Sequence, residues 1–375
     1  MRIAFIGQKG LPAKDGGVEK HVEEIAKRMA GLGHEVFVYV RNNYTPKELT
    51  SFENVQLIHL PSISTKHLDA ISHSLLASVH YLFQKYDVVH YHGIGPAYFC
   101  WLPKFFKRKT AVIATFHYQD YHHQKWGAFA KWCLRLGETV ACTATDQTIA
   151  VSQALALVVE KKYGRQAVVI PNGSDISYSE HFDAISQWGL KDKKYILAVG
   201  RLIKSEGVHF LIDAFKQLEN TAKISNNFKL VIVGQGLYGD DYEAYLRTLS
   251  AGRSNIIFTG SQKGEILEQL FSHAYLFVEP SQSSRTSIAL LEAMSCSATS
   301  LVSDTTSNKE IIGEDGFTFT LNSVIDLRDK LAFLLSRADE VRRVGQRARK
   351  KMEEKYSWDS IVKKTMEVYR NKIEI

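Results

Sequence analysis

Between Glu279 and Cys296 the chain reads EPSQSSRTSIALLEAMSC, small polar residues followed by an apolar run. The preceding AYLFV, Ala274 to Val278, predicts a buried strand, and Ile288 to Met294 predicts the opening turns of a helix. A loop so placed meets the free backbone N–H groups and the positive dipole end of that helix, which favour an anion. Glu292, one to two turns in, is a carboxylate able to accept hydrogen bonds from paired hydroxyls such as those of a ribose. An ordinary strand-loop-helix unit with a solvated glutamate fits the same residues, and both readings stand from this stretch alone.

A second stretch of the same kind lies at the start of the chain. RIAFIG predicts a short strand that ends in a glycine-bearing loop, Gly7 to Gly17 (GQKGLPAKDGG). The helix expected over Val18 to Gly31 carries Val22, Ile25, Ala26 and Met29 at helical spacing. The loop lacks the G-x-G-x-x-G fingerprint, so it predicts no nicotinamide site. Adjacent Gly16 and Gly17 allow close approach of backbone to a ligand, and they equally suit a tight turn.

The elements that must position these loops alternate along the whole chain. Strands are expected at Glu35 to Val40, Val55 to Leu60, Val88 to His92, Ala111 to Phe116, Gln147 to Val151 and Val168 to Ile170, with helices between them. Pro171, Asn172 and Gly173 then break the chain. The pattern restarts at Tyr195 to Val199 and continues through Lys229 to Val233, Ile256 to Thr259, Tyr275 to Val278 and Ser300 to Ser303. This predicts two doubly wound α/β domains, 1–172 and 173–355, followed by a last helical segment, 356–375. Asn308 and Glu310 fall in an expected loop after the Ser300 to Ser303 strand and read as structural.

Composition fits a two-domain globular chain: 375 residues, 45% hydrophobic and 23% charged. Cys100, Cys133, Cys142 and Cys296 lack metal-ligand spacing and read as buried thiols in a reducing compartment. The first residues predict a strand rather than a signal sequence, and no apolar run reaches the ~18 residues of a spanning helix. These features point to a cytoplasmic location. A net charge of +7 invites an anionic partner.

The pieces IGQKGLPAKDGGVEKHVEEIA, HYHGIGP, HYQDYHHQKWG, IAVSQAL, IPNG, VGRL and LLEAMS, in that order, resemble the family-4 retaining glycosyltransferases. The resemblance implies the GT-B fold, two Rossmann-like domains facing a cleft, and transfer of a sugar from a nucleotide diphosphate sugar with retention. It implies no cofactor and no obligatory metal. In that family the donor segment reads roughly P-S-x-x-E-G-x-P-x-x-L-L-E-A-M; Pro280, Ser281, Leu290, Leu291, Glu292, Ala293 and Met294 match it, and Ser284 and Arg285 replace its Glu-Gly. The family's G-R-L-x-x-x-K-G segment places an arginine and a lysine on the departing diphosphate. Here GRLIKSEG supplies Arg201, with Glu206 at the lysine position.

A carboxylate beside a phosphate is repelled by it, so Glu206 is expected to point away. Lys204 is a candidate for the missing charge, or a solvated surface lysine. Arg285 suits a donor that carries a carboxylate, such as a uronic acid. His117 matches the histidine that touches the donor sugar, the alternative being a core histidine. Asp120 matches an aspartate that orients or deprotonates an acceptor hydroxyl. The implied donor-binding set is Gly16, Gly17, Arg201, Lys204, Ser284, Arg285, Leu291 and Glu292, with His117, Asp120 and Arg201 closest to the chemistry.

Trp101 to Arg135 holds seven Lys or Arg against one acidic residue, with Phe105, Phe106, Trp126, Phe129 and Trp132 interleaved. That mixture suits the anionic inner face of a cell membrane, or is a solvated basic face over a normal core. Nucleic acid ranks below both, because no nucleic-acid-binding fold accompanies the patch. The implied acceptor is lipid-linked or polysaccharide, as in envelope or exopolysaccharide assembly. The changes at Glu206, Ser284 and Arg285 leave a second class open, a catalytically impaired relative that serves as a scaffold for an active transferase.

Overall fold

The computed structural model describes residues 1–373 apart from 15, 66–67, 120, 122–126, 222–223, 225–227, 237–240 and 283–286. The chain forms two compact units, one of Met1–Gly173 with Trp358–Ile375 and one of Ser174–Ser357.

The first unit is built on eight strands: β1 (Arg2–Ile6), β2 (Glu35–Arg41), β3 (Ser51–Phe52), β4 (Val55–Leu60), β5 (Val88–His92), β6 (Ala111–Phe116), β7 (Gln147–Ala150) and β8 (Val168–Val169). Their order in the sheet is β3-β4-β2-β1-β5-β6-β7-β8, parallel throughout except for the antiparallel β3–β4 pair. The apolar runs of the inner strands are continuous because both faces are covered by helices. Ile3 and Phe5 pack with Val22, Ile25 and Met29 of helix Gly17–Gly31 and with Ile361, Val362 and Tyr369 of helix Trp358–Ile373. Ala4 and Ile6, one residue out of phase, pack with Ala77 and Tyr81 of helix Asp69–Tyr81 on the opposite face.

The second unit has six parallel strands: β9 (Tyr195–Val199), β10 (Lys229–Val233), β11 (Ile256–Gly260), β12 (Leu276–Glu279), β13 (Ser300–Ser303) and β14 (Phe317–Phe319), in the order β11-β10-β9-β12-β13-β14. Ile196 and Ala198 bury against Leu211, Ile212 and Phe215 of helix Val208–Asn220. Tyr195 and Leu197 face Leu290, Leu291 and Met294 of helix Ile288–Ser295.

In each unit the order reverses beside the first strand: β1 lies between β2 and β5, and β9 between β10 and β12. Successive crossovers leave those two strands in opposite directions, opening a crevice at the carboxyl ends of the strands, where ligands of such sheets sit.

Several details differ from the sequence-based expectation, among them the unexpected short strands β3 and β14 and the place of Glu310 in a helix rather than a loop. Asn308 lies in helix Thr306–Ile312 rather than in a loop; Thr305 Oγ1 caps that helix by accepting from Asn308 N, and the fully buried Asn308 amide donates to Ser303 O. Cys133 is half-buried, while Cys100, Cys142 and Cys296 are buried as expected.

Candidate functional site

The carboxyl end of the second sheet is assembled by glycines that let three loops touch. Gly234, after β10, has φ +143°, and a Cβ there would lie 1.8 Å from the carbonyl oxygen of Gly200, after β9. Gly207 has φ +70°, and its missing Cβ leaves room for Pro280 O, which a Cβ would approach to 2.3 Å. Both positions require glycine, because the near atom is backbone and the dihedral is one that side chains disfavour. The contact is completed by Gln282 N donating to Ser205 O at 2.9 Å and Leu202 N to Gln235 O at 3.0 Å. The loop carrying Arg201 is thus tied to the loop that enters helix Ile288–Ser295, at the reversal of strand order.

Arg201 and Glu206 face each other across the first loop. Arg201 Nη2 donates to Glu206 Oε1 at 3.2 Å, with the arginine 42% exposed and the glutamate 16%. Glu206 thus turns its carboxylate towards Arg201. The cause is local: residues Lys204–Glu206 form one tight 3₁₀ turn, closed by Gly207 N donating to Lys204 O at 3.2 Å, which swings the carboxylate back towards Arg201. Glu206 lines a small cleft with Val199, Gly200, Leu202, Val278, Glu279 and Pro280. Lys204 is exposed on the same turn.

The entry to helix Ile288–Ser295 is fixed by Ser287, whose hydroxyl accepts from Leu290 N at 3.2 Å and donates to Glu279 at the end of β12. That cap, an uncommitted serine in sequence, is identifiable there only by its place before an apolar run. Glu292 is half-buried on this helix. Leu291 is fully buried in the core, so its side chain packs rather than meeting a ligand. Ser284 and Arg285 lie outside the described residues.

In the first unit the loop after β1 reaches Gly16, which has φ +96° and precedes helix Gly17–Gly31 without a side-chain cap. Lys9 N donates to Glu19 Oε1 at 3.1 Å, binding this loop to the first turn of the helix. Gly7, φ +125°, is a position that no sequence motif singles out; a Cβ there would lie 2.4 Å from His92 O. His117 follows β6 and is half-buried. Its Nε2 lies 3.1 Å from His92 Nδ1, and His21 Nδ1 lies 2.9 Å from Asn172 Oδ1. Burial holds all three imidazoles neutral: His21 falls to about 4, and His92 and His117 lie well below the ordinary histidine value. Asp120 lies outside the described residues. Among the described helices none is long and apolar enough to cross a membrane.

The chain has counterparts among known proteins in sequence and fold. The family described as Glycosyltransferase Family 4 matches residues 15–178, and Glycosyl transferases group 1 matches residues 181–351. The chain is 26% identical over 400 residues to an uncharacterized glycosyltransferase of Methanocaldococcus jannaschii, covering 100% of this chain and 99% of the relative. It is 23% identical over 389 residues to the O-antigen chain mannosyltransferase C of Escherichia coli, covering 100% and 99%. Anabaena HepE, solved in complex with UDP-glucose, superposes with a TM-score of 0.80 at 20% identity over 99% of this chain and 100% of that one. With two parallel-sheet α/β units that both find their counterparts in these proteins, the chain belongs to the family-4 glycosyltransferases of GT-B fold.

Proposed function

We propose that this glycosyltransferase takes its sugar from a nucleoside diphosphate donor and passes it, with retention of configuration, to a lipid-linked or polysaccharide acceptor. The observation that carries the reading is Arg201, partly exposed beside the strand-order reversal of the second sheet, on a loop bonded to the one that enters the Glu292 helix. A guanidinium there stabilises charge that develops on a departing diphosphate, and a carboxylate on the neighbouring helix suits the hydroxyls of a ribose. The complex of HepE with UDP-glucose supports the donor class, and the E. coli mannosyltransferase supports a glycan acceptor. His117, neutral and half-buried, offers a hydrogen bond to the sugar. No metal is required in this scheme, since Arg201 supplies the positive charge.

A peripheral membrane contact belongs to the same reading. Phe105 and Phe106 are 66% and 59% exposed on helix Trp101–Phe106, and Phe129 and Trp132 are 76% and 55% exposed on helix Ala128–Thr143. Arg108, Lys109 and Arg135 are exposed nearby in sequence, a combination suited to anionic lipid at the inner face of the membrane.

The Arg201–Glu206 pair also favours a second reading, in which the phosphate site is neutralised and the chain acts as a scaffold for an active transferase. Incubation with a panel of nucleotide sugars separates the two. Donor hydrolysis or transfer, with the anomeric proton of the product followed by NMR, supports the enzyme. Loss of retention removes that part of the proposal. No binding of any donor, with stable association to another transferase, replaces the enzyme by the scaffold.

A further inference from the structure

Four histidines gather at the carboxyl end of the first sheet, and they are not equivalent. His90 is an ordinary structural histidine: its Nδ1 meets Tyr369 Oη at 2.6 Å and its Nε2 meets Thr115 Oγ1 at 2.6 Å, so both nitrogens are satisfied. The other three, His21, His92 and His117, turn ring nitrogens towards one another, one from each within 4.8 Å of the others. His92 is 1% exposed, yet its Nε2 has no hydrogen-bond partner among the described residues. Its Nδ1 meets only His117 Nε2, so this ring is held through one nitrogen where His90 is held through two.

We infer that His21, His92 and His117 form a binding site for a first-row divalent cation of the zinc type, with one coordination position left open on the side of His117. The donor set is three imidazoles with no carboxylate among them, which suits zinc and excludes the oxygen-seeking magnesium and calcium. The spacing is near a metal's bite for two of the three ligands. With metal–nitrogen bonds of about 2.0–2.1 Å, two ligands on one tetrahedral ion lie about 3.3–3.4 Å apart, and His92 Nδ1 and His117 Nε2, 3.1 Å apart, need to part by only a few tenths of an ångström. The third ligand is oriented in the manner of metal-bound histidines: Asn172 Oδ1 accepts from His21 Nδ1–H at 2.9 Å, which leaves the lone pair on Nε2. Asn172 is itself 5% exposed, so the carbonyl is fixed. Closing the 4.8 Å spread to a coordination sphere requires His21 and the His92–His117 pair to approach each other, a shift that keeps the 3.1 Å contact nearly intact.

The functional consequence rests on the proposed role of His117. An ion on His117 Nε2 takes the ring's one lone pair and leaves only Nδ1–H, so His117 can no longer accept from a sugar hydroxyl and its ring is fixed, and occupancy inhibits transfer. The test uses the full chain, free of any affinity tag and stripped with a chelator, titrated with Co2+ alone and followed by visible absorption, then displaced with Zn2+. The expected result is one equivalent bound with the intense spectrum of a four-coordinate site. His117→Ala, at a partly buried position and with its fold checked by circular dichroism, is expected to weaken binding at least tenfold. Asn172→Ala is expected to weaken it by about 10–100-fold through its effect on His21. Zn2+ raises the melting temperature of the wild type and not of His117→Ala. Binding that is absent, substoichiometric, or unchanged in His117→Ala overturns the site. Binding of one equivalent with transfer unaffected upholds the site and instead removes His117 from the sugar-binding scheme.

Discussion

Replacing Glu206 by glutamine isolates one electrostatic contribution at the proposed diphosphate position while leaving the side-chain shape in place. Glu206 Oε1 lies 3.2 Å from Arg201 Nη2. A phosphate hydrogen-bonded to the far side of that guanidinium sits roughly 6–7 Å from the carboxylate, where like charges repel by about 2.5 kcal/mol at an effective dielectric near 20 and about 0.6 kcal/mol in bulk water. Because the arginine is 42% exposed, the true value falls between these limits. Glu206→Gln is therefore expected to tighten binding of the donor's nucleoside diphosphate by about 3- to 70-fold, the gain shrinking as salt is added. The lost ion pair is half exposed and costs at most about 1 kcal/mol of stability, so the fold survives. Isothermal titration with the nucleoside diphosphate of the donor found in the panel, at two ionic strengths and together with a urea melt, measures all three quantities. Unchanged or weaker binding of that nucleotide in a folded Glu206→Gln protein refutes the reasoning: either the diphosphate does not sit by Arg201, or the carboxylate serves to hold the guanidinium in position.

Other perturbations report on the supporting structure. Gly234→Ala forces a Cβ against Gly200 O and is expected to cost well above the roughly 1–3 kcal/mol of a strained dihedral alone; Gly260→Ala, with φ +71° and open space around it, costs only the dihedral strain, and paired chemical melts compare them. Leu291→Ala, in the core, is expected to lose about 2–5 kcal/mol of stability, and nucleotide affinity in the folded fraction stays near wild type. His73, fully buried, is held down to about 4 by burial and by Arg41. The unfolded chain binds that proton first, so its contribution is present above pH 6.5 and is lost as pH falls towards 4, at up to about 1.4 kcal/mol per pH unit; His73→Leu flattens that part of an acid-denaturation series. Phe129→Ser with Trp132→Ser is expected to abolish sedimentation with anionic vesicles without lowering the melting temperature, since both side chains are largely exposed.

The legible parts of this molecule are those encoded within a few residues. Strands such as Tyr195–Val199 and Lys229–Val233 show as apolar runs ended by glycine, and both fall where the sequence puts them. Ser51–Phe52 and Phe317–Phe319 do not, because two or three residues are too short to display any periodicity. Arg201 and Glu292 are visible as motif positions, whereas the pairing of Arg201 with Glu206 depends on a single 3₁₀ turn whose direction no residue pattern announces. The cluster of His21, His92 and His117 is hidden for a different reason. A helix and the ends of two adjacent strands bring them together, and only the order β1-β5-β6 makes them neighbours.

A crystal of the protein soaked with the nucleoside diphosphate of the donor found in the panel tests the donor site most directly. The account predicts density for the diphosphate within hydrogen-bond reach of the Arg201 guanidinium and for the ribose against the Glu292 carboxylate. A nucleotide bound elsewhere on the second unit, with Arg201 still closed on Glu206 and Glu292 untouched, contradicts it.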